Sequence, residues 1–270
     1  MKRLNKYLIF TLVIVLISCS KSSDRDEDTS TNSSTDYAMG QSAVYDAFKL
    51  VHQAANSSKG IALVNMVDVT SLFGCDTLIV DTTSNPMTIT IQFNGTCTDN
   101  GIDRSGSITA TFSSKYDVPG CSVGISFNNY TYKSYPLGNG TIIYNYTGLT
   151  GTSLNYSYTA NNIEIVSNNR TLWWSGNQSI MVTSGETTAT VSDDSYTITG
   201  SASGSTFAGN QFSATIDVDL TLLGNCKWVG SGVVTVSPEN KNPRILDFGS
   251  GCDDKVTVKI YSTEQEIVIP

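Results

Sequence analysis

The chain has 270 residues, 15% of them charged, with 24 acidic side chains against 16 basic ones and a formal charge of −8. An acidic surface repels phosphate backbones, and no stretch clusters Lys or Arg among aromatic residues, so nucleic acid is excluded as an expected partner. The chain's one histidine, His52, is too little for a multi-histidine metal site, and no nucleotide-type Gly-Lys loop is present.

At the N-terminus, Met1-Lys2-Arg3-Leu4-Asn5-Lys6 is basic, residues 7–17 are apolar, and Leu16-Ile17-Ser18-Cys19 sets a small residue before a cysteine. The apolar run falls short of the roughly 20 residues that a membrane-spanning helix requires. It resembles a bacterial lipoprotein signal, which implies that residues 1–18 are removed and that Cys19 carries the lipid. Several acyl chains, palmitate among them, anchor durably where one is marginal. The expected address is the cell envelope, as an outer-membrane lipoprotein facing either the periplasm or the exterior. Cleavage also removes Lys2, Arg3 and Lys6, which makes the remainder more acidic than the whole chain.

Residues 19–36 are Ser, Thr, Asn and Asp with an acidic cluster, Asp24-Arg25-Asp26-Glu27-Asp28. No apolar side chain is present to offset ordering entropy, so this stretch reads as a disordered acidic tether. Residues 37–270 then read as one β-rich domain opening with a helix over about 40–57. Val44, Phe48, Val51 and Ala55 recur at helical spacing, Ala43 and Ala47 widen the stripe, and Gly60 closes it. His52 is expected on that helix's surface.

Beyond Ile61 the pattern changes to period two. Ile89, Ile91 and Phe93 alternate with polar residues, as do Ile108, Ala110 and Phe112, the run Ala214, Ile216, Val218, Leu220 and Leu222, and Val256, Val258 and Ile260. Strands with one dry and one wet face build antiparallel sheets. The expected fold is all-β: a large antiparallel sandwich, or a curved sheet approaching a barrel, with one N-terminal helix.

With Cys19 assigned to lipid, Cys75, Cys97, Cys121, Cys226 and Cys252 remain, in a compartment that permits disulfides. Composition alone leaves many pairings open. Cys75 and Cys97 lie symmetrically about Pro86, and Cys226 and Cys252 about Glu239, each in a turn-forming stretch. Strands folded back at those turns bring each pair within the roughly 5–6 Å between α-carbons that a cystine needs, so Cys75–Cys97 and Cys226–Cys252 are expected. Cys121 is left as a buried thiol.

The same segments echo one another: Leu72-Phe73-Gly74-Cys75 with Leu222-Leu223-Gly224-Asn225-Cys226, and Phe93-Asn94-Gly95-Thr96-Cys97 with Phe248-Gly249-Ser250-Gly251-Cys252. Either an internal repeat or the general likeness of Gly-rich turns accounts for this. Together with the signal and the acidic tether, these motifs resemble Bacteroidetes-type outer-membrane or surface lipoproteins of unassigned function. The resemblance implies a location and an all-β fold, and carries no catalytic residues.

Three roles fit. The first is a non-enzymatic binding or structural role, with an envelope protein or a glycan as partner, the membrane reached through the lipid, and no metal or cofactor. The second is a glycan-binding module. Trp173 and Trp174 are adjacent, so a strand turns one inward and one outward, and the outward ring could stack on sugar among Tyr130, Tyr132, Tyr135, Tyr144, Tyr146, Tyr156 and Tyr158. The third is a carboxylate-dependent glycoside hydrolase, for which Asp217 and Asp219 share a strand face about 7 Å apart. Asp99-Asn100-Gly101-Ile102-Asp103 and Asp253-Asp254 offer oxygen ligands but no complete calcium loop.

Overall fold

The computed structural model describes residues 28–63, 69–185, 188 and 191–269. The expected signal peptide, Cys19 and the first half of the tether lie outside the described residues. Among the described residues one α-helix, α1 (Asn32–Ser57), is followed by fifteen strands, with a short 3-10 turn at Val191–Asp193. These are β1 (Asp76–Asp81), β2 (Met87–Phe93), β3 (Cys97–Asp99), β4 (Ile102–Phe112), β5 (Ser122–Tyr132), β6 (Tyr135–Gly138), β7 (Thr141–Thr150) and β8 (Ser153–Ser167). The second half comprises β9 (Arg170–Ser184), β10 (Ser195–Ser205), β11 (Gln211–Leu223), β12 (Val229–Pro238), β13 (Arg244–Ser250), β14 (Lys255–Ile260) and β15 (Thr263–Val268).

All fifteen strands join one antiparallel sheet that runs nearly in chain order from β1 to β15. The short β3 pairs only with β4, and β7 bridges β5 and β8. Because β1 and β15 do not pair with each other, the sheet is curved and open. Period-two burial places Ile89, Ile91, Phe93, Ile108, Ala110, Phe112, Val256 and Val258 on the concave face, as their alternation requires.

The concave face encloses α1. Twenty of its 26 residues are buried, so the helix is covered on every side rather than along one stripe. Its polar groups are satisfied by strands spread across the sheet: Asp46 by Arg104 of β4 and Tyr130 of β5, and Gln41 and Tyr45 by Gln178 of β9. The carbonyl of Val44 accepts the hydroxyl of Tyr158 on β8 at 3.2 Å. Small residues permit this close approach. A Cβ on Gly40 would fall 2.3 Å from Trp174 Cδ1, so the indole of Trp174 lies against bare helix backbone.

The helix starts eight residues before the boundary read from the sequence, and the tether assigned to residues 19–36 is correspondingly too long. The carbonyl of Thr31 accepts the N–H groups of Ser34 and Thr35, and Ser33 and Ser34 are buried, so packing overrides the modest propensity of the Ser/Thr run. Ahead of the helix, Arg244, itself buried, donates to Asp28 Oδ2 (3.0 Å) and to the carbonyl of Ser30 (3.3 Å), while Lys241 pairs with Asp28 at 2.6 Å. The segment is ordered by giving its oxygens to a buried cation, which a count of apolar residues does not anticipate.

Near the helix start, Asp36 accepts the N–H of Phe207 (2.9 Å), and burial raises its carboxyl from 3.8 to about 6. The native state thus holds this proton more tightly than the unfolded chain does. Ionisation therefore costs stability progressively between about pH 4 and pH 6, and the cost is complete above that window. Asp36→Asn keeps an acceptor for Phe207 and removes the charge. It is expected to stabilise the protein by about 1 kcal/mol at pH 7, less than the full shift implies because the group is partly solvated, and to be nearly neutral at pH 4. Urea unfolding at the two pH values tests this; a gain independent of pH contradicts it.

Two expected positions are corrected. Val218 is 55% exposed rather than inward-facing, because β11 slips register against β12 between Ile216 and Thr221. At this bulge Gly232 adopts φ +119, and a Cβ there would come 2.6 Å from the carbonyl of Asp219. His52 is buried, not on the helix surface. Phe48 stacks on it at 5.6 Å, and Tyr116, Tyr156 and Tyr196 surround it edge-on.

Candidate functional site

The two cystines join Cys75 to Cys97 and Cys226 to Cys252, and Cys121 is a buried free thiol. The hairpins carry each pair to one end without setting its members directly opposite: the β1–β2 register places Cys75 against Asn94. Asp76 faces Phe93 across β1 and β2, and Ser231 faces Ser250 across β12 and β13, so each cysteine pair lies just beyond the open end of a hairpin. The loops carrying the two cystines converge beside the middle of α1 and enclose a cavity of about 360 Å³. Leu72, Phe73, Asp99 and Asn100 come from the first, and Gly224, Asn225 and Lys227 from the second. The segments that echo each other in the sequence thus meet around one space.

Each wall is locally built. The carboxylate of Asp76 accepts the Ser71 hydroxyl (2.7 Å) and the N–H groups of Leu72 (2.9 Å) and Phe73 (2.7 Å), which folds residues 71–74 into a tight turn. That turn sets the Phe73 ring 5.4 Å from the guanidinium carbon of Arg104. Opposite, Asn100 (φ 47) and Gly101 (φ 68) form the two-residue turn between β3 and β4, an Asn-Gly pair in the mirror-image geometry that suits hairpins. Asn100 donates to the carbonyl of Asn225 at 3.3 Å and ties the two loops together. Asp99-Asn100-Gly101-Ile102-Asp103 is therefore turn chemistry, and no cluster of metal ligands occurs among the described residues.

The cavity's charged groups divide into a spent pair and unspent cations. Arg104 is buried and grips Asp46 through Nε (2.8 Å) and Nη2 (2.5 Å), and the Tyr130 hydroxyl donates to the same carboxylate at 3.1 Å. Burial alone would raise the Asp46 carboxyl; the Arg104 charge and hydrogen bonds hold it below the ordinary range. Arg104 Nη1 has no hydrogen-bond partner among the described residues. Lys49 gives one donor to the carbonyl of Cys226 (2.9 Å), and burial depresses its ammonium to about 8 against the opposing pull of Asp46 and Asp99. Lys227 lies over the Trp228 ring at 5.1 Å.

Lys133 approaches the Trp228 ring as well, at 3.6 Å, and burial with the nearby charge of Lys227 brings its ammonium to about 8. An acidic chain has therefore gathered four cations and an indole around the place where its cystine loops meet. Such a setting can receive and orient an anion.

The residues singled out for sugar stacking are not brought together. Trp174 is fully buried against Gly40 and belongs to the core, which removes it as a stacking residue; Trp173, on the opposite face of β9, is half-buried. Tyr130, Tyr132, Tyr144, Tyr146, Tyr156 and Tyr158 are buried, and only Tyr135 of that group is partly open. Asp217 and Asp219 are exposed on the convex side, and Asp217 accepts the hydroxyl of Thr235 at 2.6 Å. The carboxyl raised to about 6, Asp36, is not in the cavity wall.

Sequence reasoning missed Asp46, Lys49, Arg104 and Lys227. One signal was available: Arg104 shares strand parity with the inward-facing Ile102, so a charge was due to point into the core. Comparison with protein-family models, with curated proteins and with solved structures found no match to the chain.

Proposed function

We propose that this chain is a lipid-anchored, non-enzymatic binding protein of the bacterial cell envelope. The observation that carries the binding role is the cavity walled by both cystine loops and α1, set in a fold whose interior is otherwise filled by the helix. Rigid walls suit recognition: the Asp76 turn, the Asn100–Gly101 turn and the two cystines fix the lining before any ligand arrives. The sequence around Cys19 supports the anchor, and the two cystines accord with an oxidising compartment. Envelope proteins and glycans remain candidate partners in this reading.

The anchor is tested by growing cells that produce the full chain with an alkyne fatty acid and attaching a dye by click chemistry. The wild-type chain is expected to label and to fractionate with the outer membrane. Cys19→Ala is expected to lose the label almost completely. Equal labelling of the variant contradicts the anchor.

A further inference from the structure

We propose that the cavity between the two cystine loops is a binding site for a small organic oxyanion, a carboxylate or phosphate ester, with its charged group at Lys49, Lys227 and Arg104. This rests on the binding role above and names its ligand class. Three observations carry it. First, the cations there exceed what the wall's own acids consume. Asp46 is committed to Arg104 through both oxygens, which leaves Asp99 facing Lys49 and Lys227. Second, donors stay available in the wall: Arg104 Nη1, itself buried, has no partner among the described residues, and Lys49 uses one of its three N–H groups on Cys226. Third, the same space has an apolar side made by Leu50, Leu72, Phe73 and Ile102, suited to the body of a ligand rather than to a bare ion.

Guanidinium and ammonium groups in a partly desolvated wall bind oxyanions through charge-assisted hydrogen bonds, and with the Nε and Nη2 atoms of Arg104 held by Asp46, Nη1 is the guanidinium donor left for a ligand oxygen. Lys49 gives the site a pH signature. It is faced by Asp46 on its own helix, Asp99 of β3, Arg104 of β4 and Lys227 of the loop after β11. Its ammonium titrates near 8, so affinity is expected to be level below that pH and to fall above it.

The test is titration of the ¹⁵N-labelled full chain with glucuronate, glucose 6-phosphate and inorganic phosphate, with glucose as the neutral control, followed by amide chemical shifts. Glucuronate or glucose 6-phosphate is expected to produce saturable shifts confined to residues 72–73, 100–101 and 224–227, and glucose none. Saturation by only one of the two separates a carboxylate from a phosphate ligand. Saturation by inorganic phosphate alone would reduce the site to simple ion binding and overturn the organic-ligand proposal. Lys227→Gln, which removes a cation that makes no hydrogen bond to the fold, is expected to weaken binding about tenfold, whereas Lys259→Gln on β14 should leave it unchanged.

Shifts that rise linearly without saturation, that scatter over surface lysines, or that survive Lys227→Gln at full affinity overturn the proposal. Saturable binding of glucose at the same amides would also overturn it while leaving the cavity a binding site. Loss of Cys19 labelling bears on the anchor and leaves this result untouched.

Discussion

Asp46→Ala is expected to destabilise the protein by about 3–5 kcal/mol, because it strands a buried guanidinium whose other hydrogen bonds are few. Arg104 and Asp46 are 3% and 4% exposed, and the pair is closed by two short bonds with a third contribution from Tyr130. Removing the carboxylate leaves Arg104 buried without a counter-charge, since Lys49 beside it has the same sign. Replacing both partners, as in Asp46→Leu with Arg104→Met, should recover most of the loss, because an apolar pair of similar volume carries no desolvation cost. Chemical denaturation of the three variants decides; a single change costing under about 1 kcal/mol would mean that water reaches the pair. The double variant also separates stability from recognition. It should fold, yet lose the oxyanion response that depends on Arg104.

Trp174→Ala should cost a comparable amount, about 3–5 kcal/mol, and Trp173→Ala under about 1 kcal/mol, although the two are adjacent. The asymmetry comes from strand geometry. Trp174 points into the concave face, where its ring is flanked by Gly40 of α1 and Gly176 of its own strand; a Cβ at either would fall within 2.4 Å of the indole. Alanine at 174 leaves a void that the rigid glycine backbone on either side cannot fill. Trp173 meets solvent on the convex face. Urea denaturation measures both, and equal costs would contradict the facing of β9.

How much of this was legible in the sequence depends on the kind of signal. Alternation announced the sheet, because a half-wet strand writes its dry face into every second residue. Turn symmetry pointed to the right cystine partners although the hairpins do not align them: in the β1–β2 register Cys75 falls opposite Asn94, three residues short of Cys97. The helix misled, since an amphipathic stripe was the natural reading of Val44, Phe48, Val51 and Ala55. The sheet instead curls around α1, so Gln41, Asp46 and His52 are buried too. Small residues such as Gly40, Ala43, Ala47 and Ala54 were the available hint of close packing on all sides.

The bulge in β11 was invisible for a different reason: the register slips locally, turning Val218 outward while Ala214, Leu220 and Leu222 stay buried, and composition carries no trace of it. The cavity was the least legible feature. Its cations come from positions 49, 104 and 227, which form no cluster along the chain, and only the convergence of two loops gives them a common purpose.

The enclosed helix also dictates an order of events in time. Residues 32–57 emerge first in synthesis, yet the partners of α1 lie far downstream: Gln41 meets Gln178 across 137 positions and Lys49 meets Cys226 across 177. A lone helix of mixed Ser, Gly and Ala composition is marginal in water, and contacts so distant along the chain form slowly. The interior therefore cannot be assembled until most of the polypeptide exists, and a chain still lacking β9 to β12 has nothing to close around. The delay keeps the early segment open to solvent through most of synthesis, and folding begins in earnest only after the last strands have arrived.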